Sequence, residues 1–253
     1  MRRIIMGGIT GRTGSAVARY IFAQPDVELV AAVGKQSAGQ DVGELLGFPK
    51  TGQHVYPDVT TALEVHQADV YVDFTTPEAA EGNVRAALAG GLDLIIGTTG
   101  INPGFVQEIS QKVKEVNRFA IFSSNFSMGI VALSQVVNML RDVFGTKDMQ
   151  IIETHHENKL DMPSGTALYL QQLVHTAGEK PVEIHSLRVP KKTSKHQVLV
   201  SVNGEIISLE HEVTDPEAFG AGVCYVIQHA ANSIGFYDNL TSFVESREAM
   251  ALS

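Results

Sequence analysis

"IIMGGITGRTGSAVARYI" (residues 4–21) is the stretch on which the fold turns. Three apolar residues run into a glycine cluster, and the cluster opens a run of small and apolar residues with helical texture. Gly8, Gly11 and Gly14 recur at three-residue spacing, as G-x-x-G-x-x-G rather than the commoner G-x-G-x-x-G. Backbone N–H groups at a helix start hold a pyrophosphate, and a Cβ there would block its approach. Glycines also close ordinary strand–helix turns, so the position matters: this cluster sits at the first strand–helix junction. It reads as a dinucleotide seat.

The pattern continues outward. "RIIMGG", "VELVAAVG", "VYVDFT", "LDLIIGTTG" and "RFAIFSS" are short apolar runs, the texture of strands buried on both faces. Helical patterns lie between them: "TGSAVARYIFAQ", "PEAAEGNVRAALAG" and "NPGFVQEISQKVKEV". Alternation of this kind predicts an α/β fold, a doubly wound parallel sheet over residues 1–126. "DFTTPE" (73–78), "GTTG" (97–100) and "SSNFSMG" (123–129) each follow a predicted strand, where such sheets bind ligands. The second strand ends in Gly34 and Lys35, where an acid would bind a ribose 2′-OH. With no carboxylate to repel a 2′-phosphate and a cation beside it, the sequence leans to NADPH over NADH.

After Asn125 the texture changes. "GIVALSQVVNMLRDVFG" predicts an amphipathic helix stopped at Gly145, and "VEIHSLRV", "HQVLVSVNG" and "EIISLEHEV" alternate as in a sheet with one covered face. The tail, from "PEAFGAGVCYVIQHAANS" through "IGFYDNLTSFVE", reads as helical and as packing on the first domain. Two domains sharing a cleft is the expected organisation.

"IIETHHENKLDMPSGTALYL" (151–170) places two histidines, a lysine and a Pro-Ser-Gly-Thr turn between a strand and a helix running from Thr166 to about Ala177. Adjacent strand histidines point to opposite faces, so His155 and His156 are poorly placed to share a metal, and none is expected. Ser164 or its neighbour is expected to cap the helix, and the opening N–H groups from Ser164 to Thr166 suit a carboxylate. Lys159 and a histidine add positive charge and a transferable proton. Together these are equipment for reduction: a hydride reaches an electrophilic carbon, and the electron density left behind takes a proton.

Composition narrows the field. A formal charge of −9 argues against nucleic acid or an anionic membrane as partner, and the lone Cys224, in "GVCYVI", reads as a buried structural thiol of a reducing cytoplasm. "MRRIIMGGITG" is no signal peptide, and no apolar run reaches the ~20 residues of a membrane span.

"ETHHENKLDMPSGTA" (153–167) resembles the signature of the 4-hydroxy-tetrahydrodipicolinate reductase (dihydrodipicolinate reductase) family, E-x-H-H-x-x-K-x-D-x-P-S-G-T-A, at every fixed position. G-x-x-G-R-x-G (8–14), D-F-T-x-P-E, G-T-T-G and N-F-S-x-G also match, in order and over nearly the whole chain. The resemblance implies a Rossmann-like domain (1–126, completed by about 231–253) and a mixed α/β domain (127–230) that binds substrate and builds a homotetramer. It implies NADH- or NADPH-dependent reduction of a cyclic unsaturated imine dicarboxylate in lysine and diaminopimelate synthesis. By motif position, His155 and Lys159 are the proton-donating pair. His156, Lys159, Ser164, Gly165 and Thr166 hold substrate carboxylates. Gly8, Ile9, Thr10, Gly11, Arg12, Thr13, Lys35, Gly97, Thr98, Thr99, Ser123, Ser124, Asn125 and Phe126 contact cofactor.

Three departures stand out. Gly34-Lys35 replaces an acid-plus-base pair. "RVPKKTSKHQV" stands against R-x-G-x-x-x-G-E-H-T-V, with Pro190, Ser194 and Lys195 in place of two glycines and the acid. Pro216 occupies a position that is often basic or polar. These changes leave a paralogue acting on another cyclic imine acid as the alternative. A non-catalytic dinucleotide sensor would lack Lys159 or the Ser-Gly-Thr turn, and a zinc hydrolase would use His155, His156 and Glu157.

Overall fold

The computed structural model describes residues 1–146, 148–175, 180–190 and 193–251. The predicted helix end at Ala177 and the Lys191-Lys192 part of the 190–195 stretch lie outside the described residues. The chain divides into two compact units: residues 1–127 with 216–253, and residues 128–215.

In the first unit, β1 (Arg2–Gly7), β2 (Val27–Val33), β3 (Val55–Tyr56), β4 (Val70–Asp73), β5 (Asp93–Ile96), β6 (Phe119–Phe122) and β11 (Gly235–Tyr237) form one seven-stranded sheet. Its order is β11-β6-β5-β4-β1-β2-β3, and every pairing is parallel. Order reverses on either side of β1, the arrangement that opens a binding crevice at the carboxyl ends of the strands. The central strands β4, β5 and β6 are buried at every position, which is why they read as unbroken apolar runs. Helices α1 (Arg12–Phe22), α2 (Val42–Leu46), α3 (Val59–Val65), α4 (Pro77–Ala89) and α5 (Pro103–Glu115) connect these strands. One core joins Ile5, Tyr71, Leu94 and Ile96 of the sheet to Val84 and Ala87 of α4 and Ile109 and Val113 of α5.

In the second unit, α6 (Met128–Phe144) ends before Gly145, whose φ of +74° is a left-handed stop that glycine adopts without strain. Strands β7 (Met149–His156), β8 (Glu183–Val189), β9 (Ser194–Val202) and β10 (Glu205–Val213) form a mixed sheet in the order β10-β9-β7-β8. Only β7 and β8 run parallel. α6 and α7 (Gly165–Leu173) contribute Val137, Leu140 and Leu170 to a core with Ile151, Val198 and Val200, so one face of the sheet is covered.

Two expectations need correction. The tail is not helical throughout: Gly235–Tyr237 forms β11 beside β6, between α8 (Ala218–His229) and α9 (Leu240–Ala251). The chain also re-enters the first unit at Pro216, not near residue 231. Glycines in α8 are the cause. A Cβ on Gly220 would lie 2.3 Å from the Tyr20 Cβ of α1, and one on Gly222 would lie 2.0 Å from the Phe126 carbonyl. Without those atoms α8 packs directly on the first unit. Among the described residues no helix is long and apolar enough to cross a membrane.

Candidate active site

Two constellations carry chemistry, one in each unit. In the first, the turn after β1 is built on close approach. Gly8 has φ +85°, and a Cβ on it would meet the Phe74 carbonyl at 2.2 Å. A Cβ on Gly14 would sit 2.0 Å from the Gly8 carbonyl. Gly11 is the N-cap of α1 and has no side chain to cap its N–H groups, so the helix start is left open to an anion. These residues fit a pyrophosphate.

The neighbouring strand ends are tied together by one carboxylate. Asp73, fully buried at the end of β4, accepts from Tyr71 Oη at 2.5 Å, Thr75 Oγ1 at 2.7 Å and Thr98 Oγ1 at 2.6 Å. Gly97 has no room for a Cβ, because the Phe74 ring lies 2.2 Å from where it would be. Phe74 in turn packs edge-on against Phe126, with centroids 6.0 Å apart. Ser123 Oγ donates to the Asn125 carbonyl and accepts from the Leu240 N–H, which pins the loop after β6. The glycine turn, 97–98 and 126 therefore gather around Phe74 and Asp73. Thr10, Gly11, Arg12, Thr99 and Ser124 are exposed along this rim. Lys35 opens a 3-10 turn after β2, exposed to solvent. Ile9 is 2% exposed and belongs to the core.

In the second unit, strand alternation does the sorting. Glu153 and His155 share the covered face of β7, and His156, half-buried, points to the opposite face. Glu153 is wholly buried. It accepts from His155 Nδ1 on one oxygen and from Arg188 Nη1, at 2.9 Å, on the other. Burial pushes the Glu153 carboxyl up, but Ser186, Arg188 and His155 outweigh it and leave it below the usual carboxylate value. Burial lowers His155, opposed by Glu153 and assisted by Lys159 and Arg188. His196, on β9, stacks edge-on to His155 with centroids 5.1 Å apart. Its buried ring is pushed down to about 3 by desolvation first, then by its cationic and histidine neighbours, so it stays neutral.

The loop after β7 meets the start of α7. Ser164, 1% exposed, accepts from the Ala167 N–H at 3.2 Å, and its Oγ lies 3.2 Å from His196 Nε2. Ser164 is thus committed to the cap, and Gly165 and Thr166 follow it in the first turn of α7. Lys159 Nζ pairs with Asp161 at 2.8 Å, and Lys159 first, with the nearby Gly165 N–H, lowers the Asp161 carboxyl against the effect of burial. A carboxylate of the chain itself therefore occupies the cation and helix start that suit a ligand carboxylate. Arg188 donates to the carbonyls of Asp161 at 2.6 Å and Lys159 at 3.4 Å, which fixes this loop to β8. His155, Lys159, Ser164, Gly165 and Thr166 come together; His156 does not join them on that face.

The first half of this description coincides with residues 2–126, which match the family model for the dihydrodipicolinate reductase N-terminus, and residues 129–240 match the model for its C-terminus. The chain belongs to the dihydrodipicolinate reductase family. It is 33% identical to the 4-hydroxy-tetrahydrodipicolinate reductase of Methanocaldococcus jannaschii, across 92% of this chain and 93% of that one. The enzyme of the same name from Thermosynechococcus vestitus is 32% identical, covering 89% of this chain and 90% of its own. Among solved structures, the dipicolinate-bound dihydrodipicolinate reductase of Paenisporosarcina sp. TG-14 superposes with a TM-score of 0.79 at 25% identity, covering 96% of this chain and 99% of that one. An amine dehydrogenase from Mycobacterium smegmatis, 12% identical with a TM-score of 0.69, shares the fold. As a member of this family, the reductase is an NAD(P)H-dependent oxidoreductase.

Sequence reasoning gave no role to Glu153, Arg188, Ser194 or His196. The signal was present for Glu153, since E-x-H on a strand puts both side chains on one face. Arg188, Ser194 and His196 depend on the register of β8 and β9 against β7, which pairs His155 with Arg188 and Ser194, and Glu153 with His196.

Proposed function

We propose that this chain reduces 4-hydroxy-tetrahydrodipicolinate to tetrahydrodipicolinate in lysine and diaminopimelate synthesis, with NADPH preferred. The observation that carries the reading is the convergence of His155, Lys159 and the α7 start on one loop already shaped around a carboxylate, that of Asp161. A dicarboxylate substrate displaces Asp161 and takes the Lys159 ammonium and the N–H groups of Gly165 and Thr166. Bound reduced nicotinamide supplies the hydride. The chain supplies the proton that follows it, from His155 with Lys159 beside it. Glu153 holds His155 Nδ1, so the proton leaves by Nε2.

The exposed Lys35, standing after β2 where an acid is expected, supports NADPH, because it would offer a cation to a 2′-phosphate. A homotetramer is supported by the second face of the mixed sheet, where Leu187 and Ile206 are 52% and 73% exposed.

The test is a coupled assay with enzymatically generated substrate, following NADPH and NADH oxidation at matched concentrations. Rapid oxidation that disappears in Lys159→Ala, with NADPH affinity retained, establishes the reaction and ranks the cofactors. No oxidation by a folded protein that still binds NADPH points instead to another cyclic imine acid, through the Pro190 and Ser194 changes.

A further inference from the structure

His155 has two ring nitrogens, and the structure gives them different partners. Nδ1 faces the Glu153 carboxylate, which at neutral pH can only accept, so Nδ1 keeps its hydrogen whether the ring is neutral or charged. Protons therefore enter and leave at Nε2. The Ser194 hydroxyl lies 3.0 Å from that atom. Register explains the meeting, since Ser194 is the β9 residue directly opposite His155 on β7. In the pattern R-x-G-x-x-x-G-E-H-T-V that the family resemblance brings, glycine commonly stands at this position, and glycine has no hydroxyl to offer there.

We propose that Ser194 is a positioning residue for the proton donor: its hydroxyl accepts the Nε2–H of charged His155 and keeps that charged form accessible. The inference rests on the reading of His155 as proton donor. When the ring is neutral, Ser194 donates to Nε2; when it is charged, Nε2–H donates to Ser194. The second bond is charge-assisted and roughly twice as strong, so the hydroxyl favours the charged ring. His155 is 5% exposed, which leaves little room for water to replace the hydroxyl. The other groups facing the ring are Glu153 on β7, Arg188 on β8, His196 on β9 and Lys159 in the following loop. Of these only Glu153 favours the charge, and its carboxylate is shared with Arg188. Ser194 is the favourable partner on the exchanging nitrogen.

The experiment uses the full chain with Ser194→Ala, Ser194→Gly and Ser194→Thr. The His155 imidazole is titrated by nitrogen-15 NMR without substrate, and kcat and KM are then followed against pH. The expected result is an acid-ward shift of about one unit in Ser194→Ala and Ser194→Gly, and so an about tenfold lower kcat above that titration point. KM should change less than about twofold, and Ser194→Thr should restore both readings. A merely structural serine would leave the titration where it is. An unmoved titration in folded Ser194→Ala overturns the proposal, whatever the turnover. A moved titration in a protein that does not reduce the substrate supports the Ser194–His155 pairing and overturns the assigned reaction instead.

Discussion

Arg188 Nη1 lies 2.9 Å from Glu153 Oε1, and the carboxylate that it meets is wholly buried. The same guanidinium reaches the carbonyls of Lys159 and Asp161, so one side chain neutralises the group behind His155 and also holds the loop that carries Lys159. Removing it strands a buried charge, the costly way to break such a pair. Arg188→Met should lower stability by roughly 3 kcal/mol in chemical denaturation. It should also lower kcat, since Glu153 then becomes easier to protonate and holds Nδ1 less firmly. A variant as stable as the wild type would show that Glu153 finds another donor.

The pH dependence follows from the same triad. A proton donor works while protonated, so activity is full below its titration point and is lost as pH rises through it. Burial sets that point for His155 below the ordinary histidine value, and Glu153 opposes the shift. Turnover should therefore decline on the acid side of the usual histidine range, and Glu153→Gln should move the decline further toward acid. The profile of kcat against pH checks both. Stability has a separate trend. His196 resists protonation down to about 3 when folded and titrates normally when unfolded, so the unfolded chain binds more protons between those values. Thermal midpoints should fall as pH falls from about 6.5 toward 3.

Much of this was legible in the sequence, and the parts that were not share a cause. The five longer strands announce themselves because burial on both faces leaves mostly apolar residues, with charged groups confined to their ends and to Glu28. β3 and β11 did not, being two and three residues long and paired only with a single neighbour at the sheet edges. A strand that short leaves no period to read. The site divides the same way. Lys159, Ser164, Gly165 and Thr166 lie within one local turn, where spacing is geometry. Glu153, Arg188, Ser194 and His196 meet only through cross-strand register, which a linear pattern does not encode.

Asp161 offers a test of carboxylate mimicry. Burial raises its carboxyl, but Lys159 and the Gly165 N–H together hold it below its ordinary value, as they would a bound ligand. If substrate competes for those two partners, neutralising the competitor favours substrate. Asp161→Asn should lower KM severalfold at low ionic strength, with the effect shrinking as salt rises. An unchanged or higher KM would mean that Asp161 orders the loop for substrate rather than standing in its place.

The glycine turn makes the strictest geometric claim, because the obstruction is backbone rather than a movable side chain. A Cβ on Gly14 would stand 2.0 Å from the Gly8 carbonyl, closer than any real contact, so α1 must move away from β1. Moving the helix displaces its opening N–H groups from the pyrophosphate they are placed to hold. Gly14→Ala should weaken NADPH binding at least about tenfold, since misplaced charge-assisted hydrogen bonds are worth about 1.5–3 kcal/mol each. Gly39 is the control: it lies outside this turn, and a Cβ there meets nothing within 4 Å. Its φ of +86° predicts a modest loss of stability in Gly39→Ala with cofactor affinity kept. Titrating both variants with NADPH by fluorescence separates a fault in the turn from general strain. Equal losses in the two would remove the turn's claim to the pyrophosphate.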